Sequence, residues 1–153
     1  MMISNETRSK LDRATFTITF ERLLSAPREQ VFDAWTKPEH VKEWWDPTGT
    51  PLSECTIDLR VGGTFRFVNQ GNAHAPPFEG AYRVIDRPTK LVFDAMGAVG
   101  TVLLAKRDGD THVTVTIRCP SAEHLEQLVK VGVDAGTNQT LDNLVAYVQK
   151  RPN

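Results

Sequence analysis

A pair of glycines between two short alternating runs constrains the fold of this chain more than any other feature. Apolar and polar residues alternate over residues 54–59, before Gly62-Gly63, and Phe65 and Phe67 continue the alternation after it. Alternation with a period of two predicts strands, and Gly-Gly between two strands is typical of a tight hairpin turn. The pattern therefore predicts antiparallel β structure in the middle of the chain.

Other short runs extend this β region and place helices around it. A helix is predicted to begin at Pro27, to break before Pro38 and to end near Trp45, because proline suits the first turn of a helix and disrupts its interior. Turn signals at residues 86–88, 97–100 and 108–110 separate the later strands. The predicted strands outside the hairpin cover residues 15–24, 78–85, 91–96, 101–106 and 112–119.

A long helix is predicted at the C-terminal end of the chain. Ser121 is a plausible N-cap, and the apolar residues that follow it keep helical spacing to Lys150, which predicts a helix of roughly 28 residues and about 40 Å. Gly132 and Gly136 lie inside this segment, one turn apart. We interpret them as a mild bend or a close packing contact rather than as a ligand contact.

Length and composition indicate an ordinary globular domain. The chain has 153 residues and a net charge of −1, which gives no bias toward nucleic acid or an anionic membrane surface. Residues 1–13 are predicted to be a flexible tail, and residues 14–151 a single domain. The first residues lack the apolar core of a signal peptide, and no apolar run approaches the roughly 18 residues needed to cross a bilayer. A cytoplasmic location without membrane insertion is therefore expected.

No sequence motif predicts a metal site, a bound cofactor or a nucleophile. Cys55 and Cys119 are distant in sequence and are interpreted as buried free thiols. The histidines show no metal-ligand spacing, and the chain has neither a Gly-x-Ser-x-Gly motif nor a phosphate-binding loop. The histidines are His40, His74, His112 and His124.

Charged residues on the predicted strands leave one question open. Such residues usually face solvent, but an inward carboxylate would be a candidate acid or base, and an inward arginine a candidate anion ligand. The residues concerned are Glu54, Asp58, Glu79, Asp94, Arg66, Arg83 and Arg118.

The order of the predicted elements, together with local motifs, resembles a known family. One strand, two short helices, six strands and a long helix is the order of the helix-grip fold. The chain is similar over residues 15–150 to the START/Bet v 1-like (SRPBCC) superfamily, and within it to the domain named after the activator of Hsp90 ATPase. The motifs that carry the resemblance are Phe20-Glu21-Arg22, Ala26-Pro27, Val31-Phe32-Asp33-Ala34-Trp35, Pro38, Trp44-Trp45, Asp58-Leu59-Arg60-Val61-Gly62-Gly63-Thr64-Phe65, Gly80-Ala81-Tyr82-Arg83, Pro88-Thr89-Lys90-Leu91-Val92-Phe93 and Gly136-Thr137-Asn138-Gln139-Thr140-Leu141-Asp142-Asn143-Leu144.

Two positions depart from the family pattern. The family usually carries Trp where this chain has Thr137, and often carries Glu where it has Val84. Both positions are expected to touch the space between the helix and the sheet. The departures suggest a pocket with a different shape from the usual one.

The resemblance implies an α+β helix-grip fold, in which an antiparallel sheet curves around a long C-terminal helix and leaves a cavity between them. A packed core without a usable cavity is the alternative. The candidate lining residues are Trp35, Trp44, Phe67, Phe78, Tyr82, Phe93, Leu103, Leu128, Gly132 and Gly136.

Three functions are compatible with the resemblance. The first is a protein that binds a small hydrophobic or amphipathic ligand in this cavity. The second is a protein-interaction module that modulates a chaperone, as the family name implies. The third is an enzyme of the cyclase or hydrolase-like type, which would need polar side chains that converge in the cavity; no such constellation is evident in the sequence. A homodimer is possible, and no nucleic-acid partner is expected.

Overall fold

A computed structural model describes residues 9–70 and 77–150, which form one sheet and four helices. His74 therefore lies outside the described residues. The elements in chain order are β1 (Lys10–Asp12), β2 (Thr17–Leu24), α1 (Arg28–Thr36), α2 (Pro38–Trp44), β3 (Glu54–Ile57), β4 (Thr64–Val68), β5 (Phe78–Asp86), β6 (Lys90–Ala95), β7 (Ala98–Arg107), β8 (Asp110–Arg118), α3 (Ala122–Lys130) and α4 (Val133–Lys150).

The strands form one antiparallel sheet of eight strands in the order β1-β2-β8-β7-β6-β5-β4-β3. Strand β2 pairs with the last strand, β8, along its whole length, with Thr17 opposite Arg118 and Leu24 opposite Thr111. The helices pack on the inner face of this curved sheet. The helix-grip architecture expected from the sequence is therefore confirmed.

The N-terminal edge of the sheet differs from the sequence expectation. Residues 10–12 are predicted to belong to a flexible tail, whereas the structure pairs them with β2, with Lys10 opposite Thr19. Their side chains are exposed, so the segment has no buried alternating face by which a strand could be recognised. Backbone pairing alone places it in the sheet.

The predicted single C-terminal helix is wrong in one respect, because it is broken into α3 and α4. Gly132 adopts a φ of +87° and its amide donates to the carbonyl of Val129. Glycine in this left-handed conformation commonly ends a helix, since it has no Cβ to clash. Helix α4 then begins at Val133 and runs for 18 residues. The sequence suggested only a mild bend, whereas the structure ends one helix and begins another at this point.

The two helix glycines should respond oppositely to alanine. Gly136 lies within α4, and a Cβ built on it would meet only Pro47 Cγ, at 4.0 Å. We expect Gly136→Ala to raise the free energy of unfolding by about 0.5–1 kcal/mol, because alanine favours the helix. Gly132→Ala should lower it by about 1 kcal/mol or more, because its φ is positive. Urea denaturation of both variants checks the prediction, and equal shifts of the same sign would contradict it.

Two turns are also placed differently from the sequence expectation. The Gly62-Gly63 hairpin is confirmed, since Ile57 pairs with Phe65, but its connection spans residues 58–63 and is not a tight two-residue turn. The extra length lets Gly62 and Gly63 bond to Tyr82 on β5, through Gly62 N to Tyr82 O at 2.8 Å and Tyr82 N to Gly63 O at 2.9 Å. The connection of the hairpin is therefore hydrogen-bonded to the neighbouring strand β5.

The turn predicted over residues 97–100 is shorter than expected. Only Met96 and Gly97 form it, with φ values of 55° and 76°, which is the positive-φ pair of a two-residue hairpin. Ala98 and Gly100 are then part of β7 and are buried. This correction matters for the site, because both residues face the interior.

Candidate functional site

A cavity of about 240 Å³ lies between the inner face of the sheet and the two C-terminal helices. Strands β5 to β8 provide one wall, α3 and α4 provide the opposite wall, and the ends of α1 and α2 close one side. The lining residues are Trp35, Trp45, Pro47, Phe78, Phe93, Ala95, Met96, Ala98, Gly100, Val115, Ile117, Leu128, Val133, Gly136, Thr137, Thr140 and Leu141.

One end of the cavity is aromatic. The ring of Trp45 lies 4.9 Å from the rings of both Phe67 and Phe78, measured between centroids. Phe93 joins this end from β6, where it sits opposite Gly100 of β7. A Cβ on Gly100 would come within 2.6 Å of the Phe93 ring, so a glycine at this position leaves room for that ring against the neighbouring strand. The result is a broad aromatic surface suited to planar apolar groups.

Polar side chains of α4 fix the position of this aromatic end. The Thr140 hydroxyl donates to the carbonyl oxygen of Trp45 at 2.9 Å, and Asn143 Nδ2 donates to the carbonyl oxygen of Asp46 at 3.0 Å. These carbonyls follow the end of α2, where helix geometry leaves carbonyls without partners inside the helix; the Asp46 carbonyl also accepts from the Gly49 amide at 2.9 Å. Helix α4 thus holds Trp45 and Pro47 over the cavity.

The two adjacent indoles have different roles. Trp44 is fully buried, and its Nε1 donates to the carbonyl oxygen of Ala34 at 3.0 Å. In a helix this carbonyl would receive the amide four residues later, but that residue is Pro38, which has no N–H. Trp44 therefore completes the end of α1, while Trp45 is only half-buried and faces the cavity.

Trp35 differs from Trp44 in the hydrogen bonding of its indole nitrogen. Its ring packs edge-on against Trp44 at 4.9 Å and forms part of the cavity wall. Its Nε1 is buried and has no hydrogen-bond partner among the described residues. A buried donor without a partner usually costs about 1–3 kcal/mol. Trp35 thus contributes apolar surface to the cavity without the hydrogen bond that anchors Trp44.

No charged side chain lines the cavity within the described part of the chain, and the lining includes no histidine or cysteine. The side-chain polar groups there are the hydroxyls of Thr137 and Thr140, and the indole N–H groups of Trp35 and Trp45. The Thr140 hydroxyl already donates to Trp45. The arrangement favours an uncharged, mostly apolar occupant, because burying an unpaired charge is very costly.

The structure brings half of the expected lining residues to the cavity. Trp35, Phe78, Phe93, Leu128 and Gly136 contribute to its walls. They come from α1, β5, β6, α3 and α4, so the expected space between the helices and the sheet exists. Whether these residues bind a ligand stays a prediction.

The other expected lining residues lie elsewhere. Trp44 and Phe67 border a separate void of about 20 Å³. Tyr82 is buried against Phe65, with 5.2 Å between the ring centroids. Gly132 forms the helix break. The assignment of Leu103 to the cavity is wrong by one position along the strand. Val102 and Leu104 point inward, so Leu103 is 42% exposed on the outer face.

Several residues that line the cavity were not predicted from the sequence to do so. The alternation Val113, Val115 and Ile117 on β8 is visible in the sequence, and it would have placed Val115 and Ile117 on the inner face. Ala98 is hidden by the assignment of residues 97–100 to a turn. The choice between Trp44 and Trp45 depends on hydrogen bonding at the end of α1, which spacing alone does not reveal.

The two departures from the family pattern lie in different environments. Thr137 lines the cavity, as expected. Val84 does not, because the register between β5 and β6 shifts after Tyr82. At this irregularity Arg83 and Val84 are both exposed, whereas regular alternation would bury one of them. Only the change at position 137 therefore affects the cavity.

Five of the seven charges whose direction was open form ion pairs on the outer face of the sheet, whereas Asp58 pairs with Arg60 in the hairpin connection and Arg118 is exposed. Arg66 lies 2.9 Å from Glu54 and 2.7 Å from Glu79. Arg83 lies 3.0 Å from Asp94. The Arg66–Glu79 pair raises the pKa of the Arg66 guanidinium. These groups are partly exposed, so they contribute little to stability and no acid or base to the cavity.

One inward charge was missed, and strand alternation would have found it. Ile18, Phe20, Arg22 and Leu24 all face the interior from β2. Arg22 is fully buried. Its guanidinium lies 3.2 Å from Asp142 Oδ1 and donates to Asn138 Oδ1 at 3.0 Å and to the carbonyl of Glu21 at 2.8 Å. These bonds tie α4 to β2, so Arg22 supports the helix that forms the cavity wall.

Both cysteines are free, as expected. Cys119 is buried, whereas Cys55 is only half-buried. Burial raises the pKa of the Cys55 thiol to about 11, and burial also places the pKa of Tyr82 well above its usual range. Neither group lines the cavity.

The raised pKa makes a testable prediction about thiol reactivity. At pH 8 about one Cys55 thiol in a thousand is a thiolate, which is the reactive form. In a Cys119→Ala variant we expect alkylation by iodoacetamide to be at least tenfold slower in the native chain than in urea, and to accelerate about tenfold per pH unit up to pH 10. Mass spectrometry measures both rates. Equal rates in native and unfolded chains would contradict the prediction.

Among the described residues, no three His, Cys, Asp or Glu side chains converge in a way that could hold a metal ion. None of the helices in residues 9–70 and 77–150 has the length and hydropathy needed to span a membrane.

Comparison with known families gives a direct match. The family model of "Activator of Hsp90 ATPase homolog 1-like protein" matches residues 25–149. The chain belongs to this family. The match begins just before α1 and ends in the last turn of α4, so it includes every element that lines the cavity. Curated protein sequences gave no match.

Several solved structures share this architecture. A protein from Rhodobacter sphaeroides is 20% identical with a TM-score of 0.83, over 95% of this chain and 99% of that chain. A protein from Nitrosomonas europaea is 21% identical with a TM-score of 0.80, over 90% of this chain and 96% of that chain. An AHSA1-like protein from Aeromonas hydrophila is 25% identical with a TM-score of 0.73, over 88% and 92%. These likenesses support the helix-grip fold.

Proposed function

We propose that this family member binds a small, uncharged, mainly apolar molecule in the cavity between α4 and the sheet. One observation carries the proposal: a cavity of about 240 Å³ whose described lining has no charged side chain. Native interiors are normally close-packed, so an apolar space of this size is unusual in a core without a ligand. Small-molecule sites usually measure about 300–1,000 Å³, which indicates a compact ligand.

A cavity-filling variant tests the proposal. Gly136→Leu adds a side chain on the cavity face of α4, where the nearest atom to a new Cβ is Pro47 Cγ at 4.0 Å. We expect it to weaken binding of the uncharged fluorescent probe 1-aminoanthracene at least tenfold. Ala135→Leu is the matched control, because Ala135 is the exposed neighbour on the same helix. Its affinity should stay within twofold of the parent chain.

Two results would overturn the proposal. Failure of the parent chain to bind the probe or any uncharged aromatic competitor is one. Equal affinity of Gly136→Leu and Ala135→Leu is the other. Circular dichroism and thermal melting establish that both variants fold. Because Trp35 and Trp45 lie in the cavity wall, quenching of tryptophan emission provides a second readout of occupancy.

The family description also names chaperone activation, which gives a second candidate. No contact among the described residues distinguishes a surface for a chaperone, so this function rests on family membership alone. Unchanged Hsp90 ATPase activity on addition of the chain would remove it. An enzymatic role has less support, because the cavity lining provides no carboxylate, imidazole or thiol to act as acid, base or nucleophile. Dimer formation and cytoplasmic location stay predictions.

A further inference from the structure

Thr137 has a hydroxyl group that the protein itself leaves unused. The described helices contain three threonines. Thr36 donates to the carbonyl of Phe32 at 2.9 Å, and Thr140 donates to the carbonyl of Trp45 at 2.9 Å. The Thr137 hydroxyl makes no hydrogen bond to any described residue, although the residue lines the cavity and is half-buried. Its hydroxyl can therefore donate to or accept from a molecule in the cavity.

The surroundings of Thr137 select the kind of group that could use this hydroxyl. Its neighbour Gly136 has no side chain, so the backbone of α4 leaves room beside Thr137. The described lining offers no counter-ion for a charged ligand. The opposite side of the cavity is formed by Phe93, Ala98 and Gly100 of the sheet. A ligand with an apolar body against the sheet could thus place one neutral polar group at α4.

We infer that Thr137 is the specificity-determining residue of the cavity, selecting uncharged aromatic ligands that carry one neutral oxygen, such as a hydroxyl or carbonyl, directed at α4. This inference rests on the proposed function. Thr137 contributes discrimination between ligands, whereas the apolar walls contribute most of the affinity. A hydrogen bond between neutral groups typically changes affinity by a few-fold to about tenfold.

An isosteric comparison tests the inference. The two probes are 2-naphthol and 2-methylnaphthalene, which differ by a hydroxyl in place of a methyl group. Dissociation constants are measured for the parent chain and for Thr137→Val, which replaces the hydroxyl by a methyl group. We expect the affinity ratio of naphthol to methylnaphthalene to fall about five- to tenfold in Thr137→Val. Thr137→Ser, which keeps a hydroxyl, should retain the parent ratio within about twofold.

Thr140→Val is the matched control on the same helix face. It loses the bond to Trp45, so it should weaken both probes alike and leave their ratio unchanged. The charged analogue 2-naphthoate should bind the parent chain at least tenfold more weakly than 2-naphthol.

The outcomes separate the two claims. Binding of both probes with a ratio that Thr137→Val does not alter would overturn the role of Thr137 and leave the proposed function standing. Equal ratio changes in Thr137→Val and Thr140→Val would also overturn it. Binding of 2-naphthoate as tightly as 2-naphthol would overturn the restriction to uncharged ligands. Failure of both neutral probes to bind the parent chain would overturn the inference together with the proposed function.

Discussion

Replacing Trp44 with alanine is expected to lower the free energy of unfolding by about 3–5 kcal/mol, as is typical for a large aromatic removed from a core. Trp44 is fully buried and packs against Trp35 at 4.9 Å and Trp45 at 5.8 Å, between ring centroids. Its loss also leaves the Ala34 carbonyl without its indole partner. Urea denaturation followed by circular dichroism measures the change.

A pair of phenylalanine variants separates packing from hydrogen bonding. Trp44→Phe keeps an aromatic ring but removes the donor to Ala34. Beyond the cost of the smaller ring, we expect the unpartnered buried carbonyl to lower the free energy of unfolding by about 1–3 kcal/mol. Trp35→Phe makes a similar change of shape in a buried ring, but its Nε1 has no partner among the described residues. Trp44→Phe should therefore be clearly the more destabilising. Equal losses of stability would contradict the role of Trp44 at the end of α1.

The second large effect is expected at Arg22. Arg22→Ala removes a fully buried side chain and leaves Asn138 and Asp142 without the guanidinium that joins α4 to β2. Removing a fully buried side chain together with its hydrogen bonds typically costs about 3–5 kcal/mol, because packing and hydrogen bonds are lost together. Thermal and urea unfolding of the variant check the value.

Two controls make the Arg22 prediction specific. Asp142→Asn should cost less than Arg22→Ala, because the oxygens of Glu21 and Asn138 still accept from the guanidinium. Arg66→Ala removes an arginine from an exposed cluster of ion pairs and should change stability by less than about 1 kcal/mol. If Arg22→Ala behaves like Arg66→Ala, the buried network does not hold α4 in place.

Strand alternation carried most of the information about the fold. A period of two is set by the pleat, so Ile18 and Phe20 could be assigned to the core without any knowledge of their neighbours. The helix break could not be read in the same way. Gly132 and Gly136 are both glycines within one segment of helical apolar spacing. Only the backbone conformation shows that the first ends α3 while the second lies within α4. Propensity gives both the same cost.

The site was less predictable than the fold, because it depends on register and on hydrogen bonds between distant elements. An error of one position along β7 was enough to place Leu103 in the cavity, although its neighbours in the strand are the residues that point inward. The bond from Thr140 to Trp45 joins residues that are far apart in the chain, so local spacing does not reveal it. The family resemblance implied a cavity between the helix and the sheet, whereas its lining required the packed structure.

The junction between α1 and α2 has a consequence for how the sequence can change over time. Pro38 removes the amide that would bond to Ala34, and the Trp44 indole supplies the missing donor. A substitution of Trp44 alone is costly, but after replacement of Pro38 by a residue with an N–H the same substitution should be better tolerated. Among natural relatives, positions 38 and 44 are therefore expected to vary together, as an inherited pair.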